Sequence, residues 1–128
     1  MTDSEVLHHA DGRTSVPEDL YNHIFNEGKC GDWFWSSENR DGKVHRTIWI
    51  LVPAVGNPAT GKPLADRGLE LAIVFPIHGP NNWAEPGDIN GWDGNEEAPT
   101  LEPSIWVRGE TDNPGWHGFF RHGRLVSA

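Results

Sequence analysis

The sequence predicts a mainly β, α+β fold: a small antiparallel sandwich or rolled sheet with one N-terminal helix against it. Three observations carry this. Runs of period-two alternation, rich in β-branched and aromatic residues, recur from residue 32 onward; clusters of Gly, Pro, Asn and Asp separate them; and alternating βαβ units are absent. A chain of 128 residues fits a single domain, 1–128, that buries roughly two-thirds of the surface its unfolded form exposes.

The helix is expected in "SVPEDLYNHIFNEG", at about 16–27. Ser15 and Glu18 have capping-box spacing, Pro17 is tolerated in the first turn, and Gly28 can close the end. Val16, Leu20 and Ile24, with Tyr21 and Phe25 beside them, share one face. An early hairpin follows: "DWFWSS" and "KVHRTIWILV" flank "ENRDG", whose Asp41-Gly42 is a turn signal. A Pro/Gly-rich loop is expected at about 53–68. In "LELAIVFPI" the face of Leu69, Leu71, Ile73, Phe75 and Ile77 reads as core, and the face of Glu70, Ala72, Val74 and Pro76 as half covered. A Trp-containing acidic loop is expected at about 79–99, then a strand in "SIWVRG". Finally His122-Gly123 reads as a two-residue turn between Phe120-Arg121 and Arg124-Leu125.

Composition narrows the function. Nineteen carboxylates against ten Lys and Arg give a net charge of -9, and the cations are scattered. Direct nucleic-acid binding is therefore disfavoured, because it rests on basic residues that displace counterions. No run approaches the roughly 20 apolar residues needed to cross a bilayer, and the N-terminus carries no signal-like segment. Cys30, the single cysteine, excludes an internal disulfide framework and a Cys-x-x-Cys zinc site. The expected compartment is a reducing cytoplasm. Seven tryptophans supply rigid apolar area for a core, with one or two available for a surface.

The stretch "DINGWDGNEEAPT", residues 88–100, invites a calcium-loop reading. Asp88 and Asn90 start that register, but Trp92 takes the third ligand position, Asp93-Gly94 comes one residue late and Pro99 stands where the closing Glu belongs. His117 and His122, with His45, His78 or Cys30, could make a three-ligand metal site only if the turn bends His122 back, since residues 117 and 122 point to opposite faces of a strand. No Gly-x-Ser-x-Gly elbow, phosphate loop or dinucleotide fingerprint is present. Glu96-Glu97 with Glu102 is an acid/base pair only if folding brings the groups together, and Cys30 lacks the basic surroundings of a thiolate. The sequence thus gives enzymatic activity no support and requires no cofactor. It points instead to a binding surface at Trp83, Trp92, Asp93, Asn95, Glu96 and Glu97, where aromatic anchors sit among adaptable polar groups.

The pattern "WDGNEEAPTLEPSI" followed by "GWHGFFRHGRLVS" resembles a family of short bacteriophage and prophage proteins of unassigned function, some of them labelled ammonia monooxygenase. The matching residues are Trp92, Gly94, Pro99, Thr100, Leu101, Pro103, Ser104, Ile105, His117, Phe119 and Gly123. Longer members carry a Cys-His in the hairpin and a later Asp-Cys-Thr-His segment that look like metal ligands. Here Trp116 replaces that cysteine and the second segment is missing, which counts against a metal. The resemblance implies a phage-encoded, non-enzymatic interaction protein, either virion-associated or directed at a host protein, including a host-defence component. Its expected location is the host cytoplasm or the virion, with a protein partner, no membrane, and self-association open. The rival expectation is a small metal-dependent enzyme using His117 and His122.

Overall fold

The computed structural model describes residues 6–40, 42–54, 63–78, 89–107 and 116–127. Within them nine strands form one sheet with the order β2-β1-β3-β4-β5-β6-β7-β8-β9. The strands are β1 (Leu7–His8), β2 (Thr14–Ser15), β3 (Trp33–Arg40), β4 (Lys43–Pro53), β5 (Leu69–His78), β6 (Ile89–Trp92), β7 (Leu101–Val107), β8 (Trp116–Arg121) and β9 (Arg124–Ser127). The helices are α1 (Leu20–Glu27) and a single turn, α2 (Pro63–Asp66). Neighbouring strands are antiparallel except β5 and β6, which run parallel with Phe75 opposite Ile89. The sheet curls into a half-barrel, so the rolled-sheet expectation holds.

Curling brings distant strands together on the concave face. Trp33 and Trp35 of β3, Ile48, Ile50 and Val52 of β4, Ala72 and Val74 of β5, Leu101 and Ile105 of β7, and Trp116 and Phe120 of β8 form one buried cluster. Trp33 meets Phe120 edge-on, with ring centroids 5.6 Å apart. On the convex face the alternate residues Phe34, Leu51 and Leu69 pack with Leu7, Leu20, Ile24 and Leu64, so the two helices cover this side. Side-chain alternation along β3 and β4 therefore feeds two cores at once. The expected core face of β5 is core, with Leu69 and Leu71 packed under the helices and Phe75 buried, but the face expected to be half covered is buried as well: Ala72 and Val74 line the larger cluster. Both faces are covered there, so apolar weight along one face could not identify the main core.

The expected hairpin of β3 and β4 forms, but β3 runs on through residues 38–40 of the expected connection, leaving Arg40 opposite Lys43 with Gly42 at φ +75°. His122 (φ 52°) and Gly123 (φ 74°) make the two-residue turn between β8 and β9. Both central residues at positive φ define the type I′ turn whose twist suits a hairpin. The β7–β8 register shifts between Leu101 and Ile105, a stretch holding Pro103, which has no N–H to give the ladder.

The helix starts later than 16. Asp19, not Ser15, caps it: its backbone is extended and its carboxylate accepts the Asn22 N–H at 3.1 Å. Ser15 is instead paired with Leu7 in a β1–β2 hairpin, and Val16 is exposed. Gly28 does end the helix, with its N–H on the Ile24 carbonyl, but in an extended conformation. Its need for glycine is spatial, because a Cβ would lie 2.5 Å from Leu51 Cδ1 and 2.6 Å from the Ile24 carbonyl oxygen. Two expected loops are shorter than 53–68 and 79–99. The structure assigns Pro53 to β4, places α2 before β5, and makes residues 89–92 a strand. The rest of those loops, 55–62 and 79–88 with Trp83, lies outside the described residues.

Candidate functional site

The predicted surface turn, Asp93 to Thr100, is built from its own side chains. The Asp93 carboxylate accepts the N–H groups of Asn95 (3.0 Å) and Thr100 (3.2 Å). Asn95 Oδ1 accepts those of Glu97 and Ala98, both at 3.0 Å. Short polar side chains bonding nearby backbone in this way are the reason Asp and Asn favour turns. Two indoles fasten the turn to the sheet: Trp35 Nε1 donates to the Glu96 carbonyl at 2.9 Å and Trp92 Nε1 to the Asn95 carbonyl at 3.1 Å. Arg46 lies over the Trp35 ring at 4.1 Å and pairs with Glu96 at 2.5 Å.

The candidate binding residues thus divide by role. Trp92 is half-buried against the main core, and Asp93 and Asn95 hold backbone. Glu96 is paired with Arg46, and Glu97 is exposed. Trp83 lies outside the described residues.

The histidines are not gathered. His117 is exposed on β8 and its Nε2 bonds Ser104 Oγ at 2.6 Å. His122 is exposed in the β8–β9 turn, and its backbone N–H donates to Thr100 Oγ1. Among the described residues no group of three or more His, Cys, Asp or Glu side chains is placed to hold a metal ion.

A second site, which the sequence reading did not assemble although it weighed Ser15 as a helix cap and Cys30 as a ligand or thiolate, lies between the β1–β2 hairpin, the last turn of α1 and the 29–32 turn. It is a cleft of about 640 Å³ whose walls include His9, Ser15, Arg13, Lys29, Cys30 and Asp32. The hairpin positions the first two. Leu7 is fully buried, His8 stacks on Trp33 at 3.9 Å, and Ser15 pairs with Leu7 so that its side chain shares a face with His9.

His9 Nδ1 lies 3.2 Å from Asp32 Oδ1, and His9 Nε2 lies 2.8 Å from Ser15 Oγ. Asp32 is buried. Its Oδ2 accepts the Lys29 N–H at 3.0 Å, and its backbone is tied to Lys29 and Leu51. Gly31 makes the tight turn possible at φ +93°, and a Cβ there would sit 2.8 Å from Ala10 Cβ. An ionised carboxylate can only accept, so neutral His9 carries its proton on Nδ1 and offers the Nε2 lone pair to the Ser15 hydroxyl.

The remaining groups of the cleft set its electrostatics. Arg13 Nε donates to Asp11 at 2.6 Å; hydrogen bonds from the Arg13 backbone and then its side chain hold the Asp11 carboxyl below its ordinary value. Cys30 keeps contact with solvent, yet the cleft walls remove enough water to push its thiol up, and the Asp32 carboxylate adds to that. Its thiol is therefore neutral at physiological pH although Lys29 and Arg13 line the same cleft, because burial and the Asp32 carboxylate both oppose the thiolate.

Sequence spacing did not join residues 9, 15 and 32, because the short hairpin that unites the first two carries only two residues per strand. The readable signal was "HADGRTS", a turn flanked by His and Ser at a separation a hairpin can close. Searches of protein-family models, of curated proteins and of solved structures give no match to this chain. The fold and its two sites therefore define the class here: a β-rich half-barrel with a pre-organised acidic turn and a separate polar cleft.

Proposed function

We propose that this chain is a phage-encoded interaction protein that binds a protein partner through the 93–100 turn, as a virion-associated accessory or as a host-directed binding protein. The observation that carries the reading is the turn's pre-organisation. Asp93 and Asn95 fix its backbone, Trp35 and Trp92 fasten it to the sheet, and Glu97 is left outward. A turn already held in one shape loses little conformational entropy on binding, which favours affinity. The net charge of -9 favours encounter with a basic partner surface. The likeness of residues 92–123 to phage proteins supports the setting.

The test is capture from infected cells with the full chain and with Glu97→Lys, followed by quantitative mass spectrometry of purified particles. A partner retained by the natural chain and lost with Glu97→Lys supports binding through the turn; equal capture by both would overturn it. A fixed ratio to the capsid subunit identifies the virion role, and abundance confined to cells the host-directed one.

A further inference from the structure

We propose that Ser15, His9 and Asp32 form an acyl-transfer site that hydrolyses small carboxylic esters in the cleft beside the β1–β2 hairpin. The three side chains stand in the relation that activates a serine. The hydroxyl reaches one ring nitrogen of the imidazole at 2.8 Å, and a buried carboxylate reaches the other at 3.2 Å. Such constellations are recognised by geometry and role and occur in several chain orders on unrelated folds. This site would add the order His, Ser, Asp.

Burial supports the assignment. Asp32 is closed off, while His9 and Ser15 are each half-buried and line the cleft. The orienting acid is thus inside and the nucleophile meets solvent. At about 640 Å³ the cleft falls within the size range of small-molecule sites. Lys29, Glu27 and the ion pair of Arg13 with Asp11 line it as well.

In the first step the Ser15 oxygen attacks the ester carbonyl carbon while His9 Nε2 takes the hydroxyl proton. The tetrahedral adduct collapses, the bond to the leaving alcohol breaks, and His9 returns the proton to that oxygen. The acyl group is then an ester of Ser15. Water attacks this carbonyl with its proton passing to His9; the acid is released, and Ser15 recovers the proton. Asp32 touches no substrate: it is a positioning residue that holds the Nδ1–H tautomer and favours the imidazolium formed in each step. No residue of the 93–100 turn lines this cleft, so failure of the ester reaction and failure of the turn as a binding surface are read separately.

The test uses the full chain with a fluorophosphonate probe and with p-nitrophenyl butyrate, alongside thermal melts of each variant. Peptide mapping is expected to place one equivalent of label on Ser15. Ser15→Ala is expected to remove label and turnover while the melt stays close to the natural chain. Asp32→Asn is expected to lower the labelling rate by about a hundredfold or more and to change its pH profile, since the wrong tautomer is then favoured. Label elsewhere or none at all on the natural chain, or turnover undiminished in Ser15→Ala, would overturn the proposal. Because mapping is done on the natural chain, the result holds even if a variant fails to fold.

Discussion

Trp92 meets Trp35 edge-on with ring centroids 5.1 Å apart, and the two indole N–H groups donate to successive carbonyls of the same turn, those of Asn95 and Glu96. The pair couples the concave core to the acidic turn. Trp92→Ala should cost about 2–4 kcal/mol, below a fully buried tryptophan because this one is half-buried. Hydrogen exchange should report it as faster exchange at Asn95, Glu97, Ala98 and Thr100, with the β3–β4 ladder still protected. An unchanged exchange pattern would mean that the turn does not depend on Trp92.

Asn95→Ala removes the acceptor of two backbone N–H groups. Both are solvent-accessible enough to find water, so the expected loss is about 1 kcal/mol in chemical denaturation. Asn95→Asp keeps the acceptor and should recover most of it.

Gly118→Ala tests the seam between β8 and β9. A Cβ at 118 would fall into the Trp116 indole and 2.7 Å from the Val126 carbonyl oxygen. The second obstacle is backbone of the neighbouring strand, so rotamer adjustment alone gives no relief. A loss of about 1–3 kcal/mol is expected, with exchange rising first in β9.

The Cys30 thiol, pushed above its ordinary 9.0 by partial burial and then by Asp32, should be alkylated by iodoacetamide more slowly than a free thiol at neutral pH. Its rate profile should inflect above 9.0. The stability this shift contributes is fully present below 9.0 and fades as pH rises through the folded value, where the thiolate would have to form beside Asp32. An inflection below 9.0 would contradict the arrangement.

Asp11 shifts the other way. Hydrogen bonds from Arg13 hold its pKa below 3.8 in the folded chain, so its contribution is present above 3.8 and is lost as acid protonates the folded carboxyl. Asp11→Asn should melt slightly lower than the natural chain at pH 7. The gap should close as pH falls below 3.8.

Much of this fold was legible because strand and turn signals are local. The β3–β4 and β8–β9 hairpins follow from Asp41-Gly42 and His122-Gly123, each beside alternating residues. The helix was legible in kind but not in its start: Ser15 and Asp19 both suit a cap, and the choice was made by Ser15 joining β2, a pairing that depends on Leu7 being buried under α1. The dominant face of β5 was hidden because both of its faces are covered. At the 93–100 turn the residue types announced a turn, while the indole bonds from Trp35, some sixty residues earlier, could not be read from spacing. Likewise nothing local connects Asp32 to His9. The Gly31 turn and the β1–β3 pairing bring them together.

The contact between Trp33 and Phe120 also governs how the chain acquires its shape. Local hairpins such as β3–β4 close in about microseconds, but joining rings from such distant points requires a long loop to be closed before any reward is gained. A chain emerging from the ribosome therefore carries Trp33 and Trp35 without their partners from the C-terminal strands until residues 116–127 follow. During that interval the growing polypeptide is most exposed to self-association and to chaperones, and substitutions in the last hairpin should show their harm as poor yield before they show it as lost affinity or turnover.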